Sequence, residues 1–130
     1  MKAEILCVGT EILLGDIVNT NAQFISKGLA DLGIEVYHQS VVGDNPQRLL
    51  DEFKNSFERT DIIITTGGLG PTQDDLTKET GAKYFNKEMI LDKNSLSQLE
   101  SYFKKMGKSN LEGNNIKQAY FPEDASIFPN

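Results

Sequence analysis

Short apolar runs alternate along the chain with stretches of helical periodicity. Ala3 to Val8, AEILCV, is a run of the first kind and predicts a buried strand. A glycine-bearing connection, GTEILLGDIVNTN, follows it. Ala22, Ile25, Leu29 and Leu32 then recur at the spacing of one helix face, and Gly33 stands where a helix C-terminus favours a left-handed residue. Ile34 to Val42, rich in Val and Ile, predicts a second strand. Gly43-Asp44-Asn45-Pro46 punctuates the pattern. Asn45 is suited to cap a helix whose first position is Pro46, where the missing N–H costs nothing. Leu49, Leu50, Phe53 and Phe57 give that helix its apolar face. Asp61 to Thr65, DIIIT, predicts a third strand, and its unbroken isoleucines predict cover on both sides, as in a parallel sheet.

Beyond Thr65 a loop, TTGGLGPTQDDLT, leads to a helix expected over residues 75–85. Another helix carries Leu96, Leu99, Phe103 and Met106 on one face and stops at Gly107. From Lys108 the pattern weakens: KSNLEGNN reads as a polar loop, and IKQAYFP and ASIFP as short extended pieces. Strand and helix thus alternate three times. That order predicts an α/β fold, a three-layer α/β/α sandwich around a mostly parallel central sheet, because right-handed crossovers place helices on both faces. A chain of 130 residues suits one compact domain, 1–130, with a modest core. Its last strand-like piece, SIF, runs to the end without a closing helix, so a domain truncated at its C-terminal end is expected.

Charge narrows the partners. The formal net charge is -6, and the charged residues are spread along the chain as solvated helix faces rather than gathered into blocks. Such a chain offers no basic footprint for nucleic acid. A lone thiol, Cys7, stands in an apolar strand and reads as a buried structural side chain. His38, also in a strand, has no Cys, Ser or second His near it in sequence to form a catalytic or metal group. The N-terminus enters a strand directly and no apolar run approaches membrane-spanning length, so a cytoplasmic protein without a membrane partner is expected.

The candidate chemistry lies where the three strands end. In open α/β sheets ligands bind beyond the carboxyl ends of the strands. Three connections leave such ends: Gly9–Asn21, which opens on Gly9 and Thr10, then Gly43–Pro46, and Gly67–Asp75. Gly67, Gly68 and Gly70 allow a backbone to approach a phosphate without a Cβ in the way, and Thr66 and Thr72 add hydroxyl donors. The string is neither a Walker A loop nor the dinucleotide fingerprint, since Gly70 is followed by Pro71-Thr72. A tight strand-to-helix turn with no ligand is the competing explanation.

Asp74 and Asp75 sharpen the choice. A phosphate beside two carboxylates meets repulsion of roughly 4 kcal/mol per unit pair at about 4 Å and an effective dielectric near 20. A divalent cation, Mg²⁺ above all, would reverse that sign, with Asp75, Asp74 and Glu11 as candidate metal ligands. A structural use competes with it: Thr72-Gln73-Asp74-Asp75 fits a capping box, in which Asp75 closes on Thr72. Asp44 is a further carboxylate at the same sheet end or else a turn residue. Asn19 and Asn21 read as caps of the first helix rather than ligand contacts.

Taken together, GTEILLGDIVNTNAQFISKGLADLGIEV, VVGDN and TTGGLGPTQDDLTKET resemble the N-terminal domain of the CinA family, the competence/damage-inducible proteins A. That domain belongs to the molybdopterin-binding superfamily of MoaB and MogA. Those relatives carry a Gly-Gly-Thr-Gly version of the loop, so Leu69-Gly70-Pro71 points to the CinA branch. NNIKQAYFPEDASIFPN is similar to the family's distal segment. The resemblance implies a metal-dependent nucleotide pyrophosphatase that cleaves ADP-ribose to AMP and ribose 5-phosphate; a molybdopterin- or nucleotide-binding module without turnover is the alternative. It implies that Asp44 and Asp75 match two aspartates tied to adenylyl transfer in the molybdenum-cofactor relatives. Thr66, Gly67, Gly68, Gly70 and Thr72 match the ligand-phosphate loop. A homo-oligomer is implied as well. Family chains usually continue into a Gly-Thr-Ala-Pro-Gly segment, and many carry a second, amidohydrolase domain. Neither occurs here, so no amidohydrolase activity is expected.

Overall fold

Ala3 to Val8 are buried throughout, and this follows from their place in the sheet. In the computed structural model, which describes residues 1–108, 111 and 113–129, strand β1 (Lys2–Val8) lies between β2 (Glu35–Val42) and β3 (Ile62–Thr66), and both pairings are parallel. The chain divides into two compact units, Met1–Gly68 and Leu69–Asn130.

In the first unit, helix α1 (Thr10–Leu13) follows β1, α2 (Thr20–Asp31) leads to β2, and α3 (Pro46–Phe57) leads to β3. Alternate side chains of β1 point to opposite faces. Ala3, Ile5 and Cys7 pack with Ala22 and Leu29 of α2. On the opposite face Glu4 meets Ser56 of α3, whose buried side also carries Leu49, Leu50 and Phe53. The sheet of this unit is therefore covered by a helix on each face, as the sequence order predicts. The punctuation residues act where expected. Gly33 is left-handed at φ 72 after α2, and the Asn45 side chain accepts the Arg48 N–H at 3.0 Å with Pro46 at the start of α3. β3 departs from expectation: its isoleucines are half-buried rather than covered on both sides, because β3 is the outer strand of this three-stranded sheet.

Glu4 breaks the apolar reading of β1. It is fully buried, yet charged. Arg59 donates to it through Nε at 2.8 Å and Nη2 at 2.7 Å, Ser40 Oγ donates at 2.7 Å and Ser56 Oγ at 2.9 Å. Burial alone would raise this carboxyl. The Arg59 fork and the two hydroxyls outweigh it and bring the pKa from 4.5 down to about 2.

The second unit contains α4 (Thr77–Tyr84), β4 (Met89–Leu91), α5 (Lys93–Lys105), α6 (Gly113–Ile116), a 3-10 turn (Lys117–Ala119) and β5 (Tyr120–Pro122). β4 and β5 pair antiparallel. The short apolar β4 is not apparent from the pattern. α4 starts at Thr77, so Asp75 precedes it instead of lying inside it, as the expected 75–85 helix required. Met106 is exposed at the end of α5, whereas Leu96, Leu99 and Phe103 are half-buried. Of IKQAYFP only Tyr120–Pro122 is a strand, and residues 125–129 join no ladder, so ASIFP is irregular. The expected loop KSNLEGNN falls in part on Ser109, Asn110 and Glu112, which lie outside the described residues; Gly113 to Asn115 belong to α6.

Candidate functional site

In the first unit the three predicted connections do leave the carboxyl ends of β1, β2 and β3. Gly9 opens the first of them, its N–H donating to the Val42 carbonyl at 2.9 Å. Thr10 and Asp44, from the loops after β1 and β2, bond reciprocally. The Thr10 N–H donates to Asp44 Oδ2 at 3.3 Å, and the Asp44 N–H donates to Thr10 Oγ1 at 3.1 Å. The Asp44 carboxylate is thereby a turn-locking group as well as an exposed carboxylate, and the sequence alternatives merge. Glu11 is exposed and folds its carboxylate back over Gly9, where a Cβ would meet Oε1 at 2.6 Å.

The third loop bends at Gly67 and Gly68, with φ of 91 and 62. A Cβ on Gly67 would stand 2.0 Å from the Val8 carbonyl oxygen, so only glycine lets the chain turn this closely against β1. Thr66 Oγ1 accepts from Asn21 Nδ2 at 3.0 Å. Asn21 thus ties the first turn of α2 to the end of β3 and is not a cap, which corrects the sequence reading. Asn19 is the cap: its Oδ1 accepts the Ala22 N–H at 3.2 Å. Its side chain also meets the buried Cys7, with Nδ2 donating to Sγ at 3.2 Å, which settles the thiol as structural.

In the second unit the loop of Gly70, Thr72, Asp74 and Asp75 closes on itself. Asp75 Oδ2 accepts from the Thr72 hydroxyl at 2.6 Å and from the Thr72 N–H at 2.9 Å. The Thr72 hydroxyl, opposed by partial burial and aided by the Thr72 and Gly70 N–H groups and the Lys117 charge, holds Asp75 below its ordinary range. Gly70 makes room for this: a Cβ there would fall 2.7 Å from Asp75 Oδ2. The carboxylate reaches back to the Thr72 N–H as in a capping box, but no helix begins at Thr72. α4 starts after Leu76, which makes no side-chain cap. Asp75 therefore organises a turn rather than capping a helix.

Two basic residues that sequence reasoning missed come to this loop. Lys117 Nζ donates to the carbonyls of Thr72, at 2.8 Å, and of Asp75, and stands 3.8 Å from Glu79 Oε1. Lys78 Nζ donates to the carbonyls of Lys117, Gln118 and Tyr120 at 3.4, 3.1 and 2.7 Å and lies over the Phe121 ring. Burial holds the Lys78 ammonium below its usual range; Glu79 opposes that and the Lys117 charge adds to it. Nothing local in TTGGLGPTQDDLT announces Lys117, which is 42 residues beyond Asp75.

As holders of a divalent cation the predicted carboxylates fit poorly. Asp75 already accepts from the Thr72 hydroxyl, the Thr72 N–H and the Gly70 N–H of its own loop, and among the described residues no group of three or more His, Cys, Asp or Glu side chains is gathered to hold a metal. Asp74 is exposed. Among the described residues no helix is long and apolar enough to cross a membrane.

Known proteins resemble this chain in sequence and in fold. A family described as "Probable molybdopterin binding domain" matches residues 4–123. A competence-damage inducible protein of Clostridium kluyveri is 79% identical over 130 residues, all of this chain and 32% of that protein. One from Clostridium tetani is 67% identical over the same length, again 32% of that protein. This chain thus spans about a third of the length of these curated relatives. The crystal structure of the CinA protein of Thermoplasma acidophilum, itself of unknown function, aligns with a TM-score of 0.84 and 36% identity, covering 94% of this chain and 70% of that one. The molybdopterin biosynthesis enzyme MoaB of Thermus thermophilus aligns with a TM-score of 0.63 over 90% of this chain and 70% of its own; at 21% identity that likeness shows the fold.

Proposed function

We propose that this chain, which belongs to the molybdopterin-binding domain family and within it to the competence-damage inducible CinA proteins, is a binding module for a small phosphate-bearing pterin or nucleotide. The observation that carries this reading is the convergence, within the first unit, of three loops at the carboxyl end of a parallel sheet. One of these loops is bent at two left-handed glycines, and the others are locked together by Thr10 and Asp44. Such a sheet end is where open α/β folds take up ligands. Thr66 and Thr10 supply hydroxyls there.

The finer reading is a metal-dependent pyrophosphatase that splits ADP-ribose. A single experiment separates the two: calorimetry with ADP-ribose and with a phosphorylated pterin, run beside an assay for AMP. Saturable binding without AMP supports the module. AMP release that needs Mg²⁺ makes the pyrophosphatase the better reading, and no binding of either ligand refutes both. Self-association into a homo-oligomer belongs to the same proposal and is tested by light scattering.

A further inference from the structure

We propose that Lys117 supplies the positive charge that lets the Gly70–Asp75 loop accept a ligand's phosphate, in place of a divalent metal. This rests on the reading above that the chain binds a phosphate-bearing ligand, and it names the group that makes a phosphate acceptable to this loop of the second unit. The loop brings Asp74 and Asp75 and no basic residue of its own, so a phosphate approaching it needs a cation from elsewhere. Asp75 is turned into the loop by the Thr72 hydroxyl and N–H, which both bond Oδ2, and by the Gly70 N–H, so much of its acceptor capacity is spent on the loop itself.

Lys117 arrives from the 3-10 turn with its ammonium already against the loop, on the carbonyls of Thr72 and Asp75. An ammonium has three N–H donors. Two are given to those carbonyls, and Glu79 Oε1 at 3.8 Å is too far to accept a hydrogen bond from the third. The side chain keeps 23% of its surface exposed, enough for an anion to reach it. Lys78 cannot take the same role. Its three donors go to the carbonyls of Lys117, Gln118 and Tyr120, and its charge sits over Phe121. Lys78 instead holds the turn that aims Lys117.

The test is calorimetry on the whole chain with ADP-ribose, and with adenosine as the uncharged control, in EDTA and in Mg²⁺. Wild type is expected to bind ADP-ribose in EDTA. Lys117→Gln should weaken that binding at least ten-fold, with adenosine affinity unchanged and Lys117→Arg restoring most of the loss. Should the glutamine variant fold poorly, raising the salt concentration on wild type in EDTA should weaken ADP-ribose several-fold and leave adenosine unmoved. Binding that requires Mg²⁺, that survives Lys117→Gln, or that is insensitive to salt overturns this inference alone. Failure of wild type to bind in either condition overturns the binding reading and this one together.

Discussion

Arg59→Met tests the buried charge at the centre of the sheet. Glu4 has no exposed surface, and Arg59 provides two of its four hydrogen bonds and its counter-charge. Removing one partner of such a pair costs roughly 3–5 kcal/mol, because the other charge stays buried and uncompensated. The Glu4 pKa gives a comparable scale for Arg59 and the two serine hydroxyls acting together against burial. The drop of the Glu4 pKa from 4.5 to about 2, at about 1.36 kcal/mol per pH unit, corresponds to roughly 3 kcal/mol. Against a total of about 5–15 kcal/mol for a typical domain, that is a large fraction. The sign with pH follows from the direction of the shift. In wild type the folded pKa lies below the unfolded one, so the contribution is fully present above pH 4.5 and is lost as pH falls toward 2. In the variant, burial still opposes the Glu4 charge while the Arg59 counter-charge is gone, so lowering the pH relieves part of the cost. Urea unfolding followed by circular dichroism should therefore show a gap between wild type and variant of roughly 3 kcal/mol or more at neutral pH, narrowing at pH 4. A gap under about 1 kcal/mol at neutral pH, or one that does not change with pH, would show that the pair contributes little and that the reasoning is wrong.

Two further substitutions probe the loops. Gly67→Ala should destabilise by roughly 2 kcal/mol or more, since φ is 91 and the new Cβ would meet the Val8 carbonyl oxygen. Gly28→Ala in α2, with nothing within 4 Å and no positive φ, should instead stabilise by about 0.5–1 kcal/mol. Thermal melts that give both changes the same sign would contradict this account. Asp75→Asn should lower the melting temperature at neutral pH. The Asp75 pKa is depressed in the fold, so its contribution is present above the ordinary value of 3.8 and fades below it; the difference in melting temperature between wild type and variant should shrink in acid.

Much of the fold was legible because its signals are short-range. The apolar run at Ala3 to Val8, Asn45-Pro46 and Gly33 each act through neighbours a few residues away, and each behaves as its local chemistry dictates. The three loops after the strands were legible too, since a parallel sheet puts its carboxyl ends on one side. Signals read one step too far failed. Thr72 and Asp75 do bond, but the spacing that permits a capping box also permits a closed turn, and α4 begins later.

Glu4 held a clue that the run of apolar neighbours masked: a charge inside a buried strand requires a partner, and its identity lies 55 residues away in Arg59. Lys117 and the β4–β5 pairing offered no such clue. The sequence by itself determined the strands, the caps and the glycine turns, because backbone conformation and alternating burial are properties of adjacent residues. Only the tertiary structure decided which charges meet, Glu4 with Arg59 and Lys117 with the loop of Asp75, because the energy of a charge depends on neighbours that the chain brings back from far along its length.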